Sequence, residues 1–154
     1  MRRLFPIFVL GLGILFINGC GTTSVYNLPQ SQQEGLVRQS YMFPTKPVFE
    51  TCLDLLTEDG WIIDNIDRQS GLITTEWKQN TSIFEKVIAG DSRSRQSVRV
   101  TGNGDHSTVK VILYLQHKDS DGWSQYAISK NEAKQEISPF LESIGERLVQ
   151  ANNE

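Results

Sequence analysis

Few residues in this chain could do chemistry. They are two cysteines (Cys20, Cys52), two histidines (His106, His117), three loose acids (Asp64, Asp67, Glu76), the run Asp119-Ser120-Asp121-Gly122, and three tryptophans (Trp61, Trp77, Trp123). A nucleophilic thiol needs a nearby base and some exposure. Cys52 instead sits among Val48, Phe49, Leu53, Leu55 and Leu56, where a free cysteine behaves as a small buried hydrophobe, and both histidines fall in predicted turns far along the chain. Asp64, Asp67 and Glu76 lie on two predicted strands that face each other, as a general acid and base would. Strand alternation turns Asp64 and Asp67 to opposite faces, however, and acids are common on the wet face of a hairpin. Aligned as a calcium loop on Gly122, the Asp119 run puts His117 at the first ligand position and Ile128 at the twelfth. Those positions need a carboxylate and a bidentate glutamate, so the run reads as a turn. No Cys/His cluster has zinc spacing, no glycine-rich phosphate loop follows a strand, and no Gly-x-Ser-x-Gly elbow exists. The sequence therefore names no catalytic residue, no metal ligand and no cofactor, and the chain reads as a non-enzyme. Trp61, Trp77 and Trp123 stand at strand ends. They either pack under the helices or form a candidate binding surface, since tryptophan joins large contact area to a polar handle.

The N-terminus carries a different chemistry. Arg2 and Arg3 precede an apolar run from Leu4 to Phe16, and no acid occurs before Glu34. This is the layout of a secretory signal peptide, and the run is too short for the ~20 residues a spanning helix needs. It closes on Ile17-Asn18-Gly19-Cys20 rather than an Ala-x-Ala-like site, and so resembles the lipobox of bacterial lipoprotein precursors. That resemblance implies cleavage before Cys20 and a diacylglyceryl group on its thiol, with the protein held at a membrane through acylated Cys20. Gly21, rather than Asp, after the cysteine implies the outer membrane by the sorting pattern of that family. An ordinary secretory signal with a chance cysteine is the alternative. If Cys20 carries lipid, Cys52 has no disulfide partner.

Removing residues 1–19 from the 154-residue chain leaves 135, enough for one domain with a real core. The net charge of −3 becomes −5 once Arg2 and Arg3 are removed. A mildly acidic domain whose only retained basic cluster, Arg93 to Arg99, reads as a strand has no footprint for nucleic acid.

Residues 20–35 are polar and lack an apolar period, so they read as a lipidated N-terminus and tether, of which Gly21 to Glu34 reaches about 45 Å when extended. A segment that orders on a partner through Val25, Tyr26 and Leu28 is the alternative. One domain is expected over residues 36–150. A short strand runs from Leu36 to Phe43, followed by a helix capped by Thr45 and closed by Asp59-Gly60. Trp61–Asp67 and Leu72–Trp77 form a hairpin around Gly71. Lys78–Ser94 reads as a turn or two of helix or as a loop. Strands then follow at Arg95–Thr101 and Thr108–Gln116, with a further short one over Trp123–Ile128. A final helix starts at Ser138-Pro139, or near Lys130 with a kink at Pro139. The pattern predicts a two-layer α+β domain, with a mostly antiparallel sheet of four to five strands and two helices on one face.

The blocks Pro47–Leu56, Gly60–Ile63, Asp67–Trp77, Arg93–Arg95 and Val98–Val100 resemble the small helix-grip domains of envelope lipoproteins, most nearly the BamC (NlpB) type. That resemblance implies a non-enzymatic protein-binding or assembly module at the periplasmic face, accessory to outer-membrane protein assembly, with an envelope protein as partner. The chain departs from that family in having room for one such domain rather than two. A small-ligand or sensing lipoprotein, with a pocket between helices and sheet lined by Trp61, Trp77 and Tyr114, is the second expectation.

Overall fold

The computed structural model describes residues 24–79 and 91–153. The residues read as a signal peptide and lipobox, 1–20, and most of Lys78–Ser94 lie outside them. The described chain is α+β: seven strands form one antiparallel sheet with helices packed against it. Its spine is a long hairpin of β5 (Ser92–Asn103) and β6 (His106–Asp119), turned at Gly104-Asp105. Each spine strand carries two short partners on its outer edge. On β6 these are β1 (Arg38–Tyr41) and β7 (Gly122–Tyr126). On β5 they are β3 (Leu72–Thr75) and β4 (Lys78–Gln79), and β2 (Ile63–Asp67) closes the sheet beyond β3. The sheet exceeds the expected four to five strands through short edge partners, of which β4 has two residues, too few to leave a periodic signal.

Alternation divides the spine cleanly. Val98, Val100, Val109, Val111, Leu113 and Leu115 are buried on one face, with Ser92, Ser94 and Gln96 continuing it along β5. Over that face lie α2 (Thr45–Glu58) and α4 (Ser138–Ala151), which also contact each other. Val48, Phe49, Cys52, Leu55 and Leu56 from α2 join the buried valines and leucines of the spine in a single core. Phe140, Leu141, Ile144 and Leu148 of α4 belong to the same core.

Helix ends explain the boundaries. Pro44 occupies the N-cap of α2 without a side-chain bond, so Thr45 is its first helical residue rather than its cap. At the other end Gly60 takes φ +74°, its N–H reaches the Thr57 carbonyl (3.0 Å) and the Trp61 N–H reaches that of Leu56 (2.9 Å). That is a Schellman stop, as Asp59-Gly60 predicts. The C-terminal region is two helices. α3 (Lys130–Glu136) starts in a capping box between Ser129 and Glu132. It breaks at Ile137, just before Pro139, which has no N–H to continue the ladder. Ser138 does not cap α4; its hydroxyl donates to the Gly35 carbonyl at 2.7 Å. The histidines are strand residues rather than turn residues, His106 opposite Asn103 and His117 opposite Ser92.

The segment read as a tether differs most. Residues 25–27 form a 3-10 turn and α1 spans Gln30–Gln33. Val25 is fully buried, and its N–H bonds the Ile128 carbonyl at 2.7 Å. β1 and β7 leave a gap between them on the β6 edge. Tyr26 fills it, its hydroxyl accepting the Leu113 N–H at 2.7 Å and donating to the Leu113 carbonyl at 3.4 Å. Gln33, buried, donates its amide to the carbonyls of Tyr26 (3.2 Å) and Leu28 (2.7 Å). Paired backbone and a buried valine offset the ordering entropy that the polar composition alone could not. Residues 24–35 thus belong to the domain, and the rest of the expected tether, residues 20–23, lies outside the described residues.

Candidate functional site

The sheet face opposite α2 and α4 carries the residues left over by the core. Strand register aligns Arg93 with Gln116, Arg95 with Tyr114, Ser97 with Ile112 and Arg99 with Lys110. Lys110 in turn faces Arg38 on β1, and Lys118 faces Trp123 on β7. Among the described residues with a strand partner, the basic ones at open-face positions are therefore Arg38, Arg93, Arg95, Arg99, Lys110 and Lys118, and the acid is Asp67, opposite Leu72; Asp64 lies in the β2 bulge without a partner. A chain of net charge −3 thus presents a cationic surface.

Two of the three tryptophans belong to it. The Arg93 guanidinium lies between Trp77 and Trp123, 4.4 Å and 4.2 Å from the ring centroids. Arg95 lies between Trp77 and Tyr114, at 4.9 Å and 4.8 Å. The result is a ladder, Trp123–Arg93–Trp77–Arg95–Tyr114, in which cations and ring faces alternate. Each such contact contributes about 0.5–1 kcal/mol when exposed and more when desolvated. Arg93 Nε also donates to Gln116 Oε1 at 2.9 Å, while Arg95 Nε is enclosed with no hydrogen-bond partner among the described residues. Stacking restricts both guanidinium planes, and both side chains stay partly exposed on this face.

Further along the face, Arg38, Lys110 and Arg99 stand side by side on three adjacent strands. They line a hollow of about 230 Å³ with Thr101, Thr108 and Gln33. Arg38 is braced from one side by Gln30 Oε1 at 2.8 Å and by Glu34 at 4.0 Å. Neighbouring strands are about 4.8 Å apart, and like charges directly opposite destabilise a sheet.

Trp61 is elsewhere. It packs partly buried against the core at the end of α2, with Lys78 Nζ 5.3 Å from its ring and also near the Asp59 carbonyl (3.3 Å). Trp61, Trp77 and Tyr114 therefore do not line one pocket between helices and sheet. A cleft of about 480 Å³ does open there, at the start of α2, between Phe49 and the β2–β3 turn. Val100 contributes to its apolar wall, and Lys46, Glu50 and Arg68 to its rim. Arg68 pairs with Glu50 and lies over the Phe49 ring at 5.4 Å.

The acids do not converge on a reaction site. Asp67 accepts from the Ser70 hydroxyl (2.7 Å) and from the amides of Gln69 (3.0 Å) and Ser70 (3.1 Å), which lowers its pKa and builds the hairpin turn. Asp119 is likewise held low, first by the Ser124 hydroxyl and then by the Asp121 amide, within the β6–β7 turn. Cys52 is buried, and burial pushes its thiol up and away from the reactive thiolate. Among the described residues no group of three His, Cys, Asp or Glu could hold a metal ion, and no helix is long and apolar enough to cross a membrane.

Sequence reasoning overlooked the arginines. The spacing Arg93, Arg95, Arg99 was visible as alternation, but the neighbours Arg38 and Lys110 join it only through the order β1-β6-β5. No protein-family model matches this chain, and no curated protein matches it.

Proposed function

We propose that this chain is a lipid-anchored, non-enzymatic envelope protein acting as a binding or assembly module at the periplasmic face of the bacterial outer membrane. The lipobox-like Ile17-Asn18-Gly19-Cys20 supplies the anchor. The observation that carries the reading is the docked N-terminal segment. With Val25 in the core and Ser24 beside it, only Gly21, Thr22 and Thr23 separate the acylated cysteine from the folded domain. Four residue steps reach about 14 Å at most. Such a domain works at the bilayer surface and does not range through the periplasm.

The partner on this reading is an envelope protein, and an accessory role in outer-membrane protein assembly is its finer form. The surface that suits a protein partner is the cleft at the start of α2, where the Phe49 and Val100 floor is rimmed by Lys46 and Arg68. A photo-activatable amino acid in place of Lys46 tests this in native membranes. A discrete protein adduct is expected; adducts to no protein would contradict the assembly role. The cleft's volume also falls within the range of small-ligand sites, which supports a second reading as a ligand-binding lipoprotein. On that reading a small molecule copurifies with the domain and competes with the adduct.

A further inference from the structure

The open sheet face has a composition that the core does not require. Three like charges, Arg38, Lys110 and Arg99, stand in register across β1, β6 and β5; Glu34 at 4.0 Å from Arg38 and Asp67 near Arg99 offset part of the repulsion, and an anion over the row would offset more. Arg93 and Arg95 extend the charge along β5 and are held rigid by Trp77, Trp123 and Tyr114. Flat cationic surfaces edged by tryptophan and tyrosine suit the headgroup region of a bilayer, where ring bodies meet the acyl boundary and polar tips stay wet. The N-terminal end of the described chain lies beside the same face. Ser24, the first described residue, shares a surface hollow with Tyr114, the terminal rung of the ladder, and with Ile112, both at open-face positions.

We infer that the sheet face opposite α2 and α4, centred on Arg93, Arg95, Arg99 and Lys110, binds the anionic phospholipid surface of the membrane to which Cys20 is attached, so that the domain lies with this face on the bilayer. This rests on the anchored reading for its geometry but has its own chemistry. Phosphate oxygens of the headgroups accept from the guanidinium and ammonium groups of this face, and the aromatic rungs sit at the interface. The short leash raises the effective concentration of the face at the lipid, so each weak contact counts more than it would in free solution. The α2 cleft, on the helix side, is left facing away from the bilayer.

The test uses residues 21–154 without the lipid, since among the described residues every buried apolar side chain lies between Val25 and Leu148. Vesicles of phosphatidylcholine alone are compared with vesicles containing one part in three phosphatidylglycerol. Cosedimentation is expected only with the anionic vesicles, falling steeply as salt shortens the screening length. Removing one surface cation weakens such binding about fivefold, so Arg99→Glu with Lys110→Glu reduces it by about twenty-five-fold or more. Both positions are at least partly exposed, and the circular dichroism of the double variant reports whether it is folded. If it is not, single-tryptophan variants read with brominated lipids replace it, with Trp77 and Trp123 quenched and Trp61 not. Equal binding to neutral vesicles, no binding to either, an unaffected folded double variant, or capture of an acidic protein by this face without lipid binding would each overturn the inference. Because the tested chain is not acylated, these outcomes are independent of whether Cys20 carries lipid.

Discussion

The Tyr26 hydroxyl stands 2.7 Å from the Leu113 amide nitrogen, 87 positions along the chain, and satisfies the β6 edge where neither β1 nor β7 reaches it. Tyr26→Phe keeps the ring and removes the partner, leaving a buried N–H unpaired. The expected loss is about 1–3 kcal/mol of unfolding free energy, read by denaturant titration. Hydrogen exchange at the Leu113 amide should quicken with it. Unchanged stability and exchange would mean that the N-terminal segment is not held as described.

That bond also marks what could be read from the sequence. α2 and its Gly60 stop, the turn at Gly71 and the alternation of β5 and β6 are local patterns, and each is where the residues place it. Val25, Tyr26 and Leu28 have no period of their own, and their partners Ile128 and Leu113 are distant in sequence. Nothing local separates such a segment from a spacer. The ladder was half legible for a similar reason. Trp77, Trp123 and the alternating arginines were visible singly, but Arg93 meets both rings only because β4 and β7 border opposite edges of the β5–β6 spine. Net charge hid the cationic face because acids elsewhere outweigh it.

Gly71 tests the hairpin. It takes φ +68°, and a Cβ there would stand 2.0 Å from the Val100 carbonyl oxygen, whose own N–H bonds the Gly71 carbonyl at 2.8 Å. Gly104, at φ +54°, has nothing within 4 Å of such a Cβ. Gly104→Ala should therefore cost the conformational penalty alone, about 1–2 kcal/mol. Gly71→Ala should cost clearly more, because backbone must shift as well. Thermal unfolding of the two variants gives the order, and equal losses would be evidence against the close approach at Val100.

Glu136 makes stability depend on pH in an uncommon direction. Burial, and then the neighbouring Glu132 carboxylate, raise its pKa above the ordinary 4.5, and its Oε1 has no hydrogen-bond partner among the described residues. The folded state thus holds this proton more tightly than the unfolded one. Stability from this group is present below about pH 4.5 and is lost as pH rises through the raised value. Asp67 and Asp119, with lowered pKa values, act oppositely: their contribution is present above the ordinary 3.8 and lost as pH falls through their depressed values. Glu136→Gln should raise Tm near pH 7 by on the order of 2 °C, an estimate kept small because the side chain is partly solvated. Near pH 3 it should change little. A gain of equal size at both pH values would point to packing rather than charge.

The most direct measurement is the mass of the N-terminal peptide of the mature protein purified from its own membranes. The account predicts a peptide that begins at Cys20 and carries diacylglyceryl mass on that residue, with labelling lost and the protein released from the membrane in Cys20→Ser. A mature N-terminus at another residue, or Cys20 recovered as a free thiol, would contradict it.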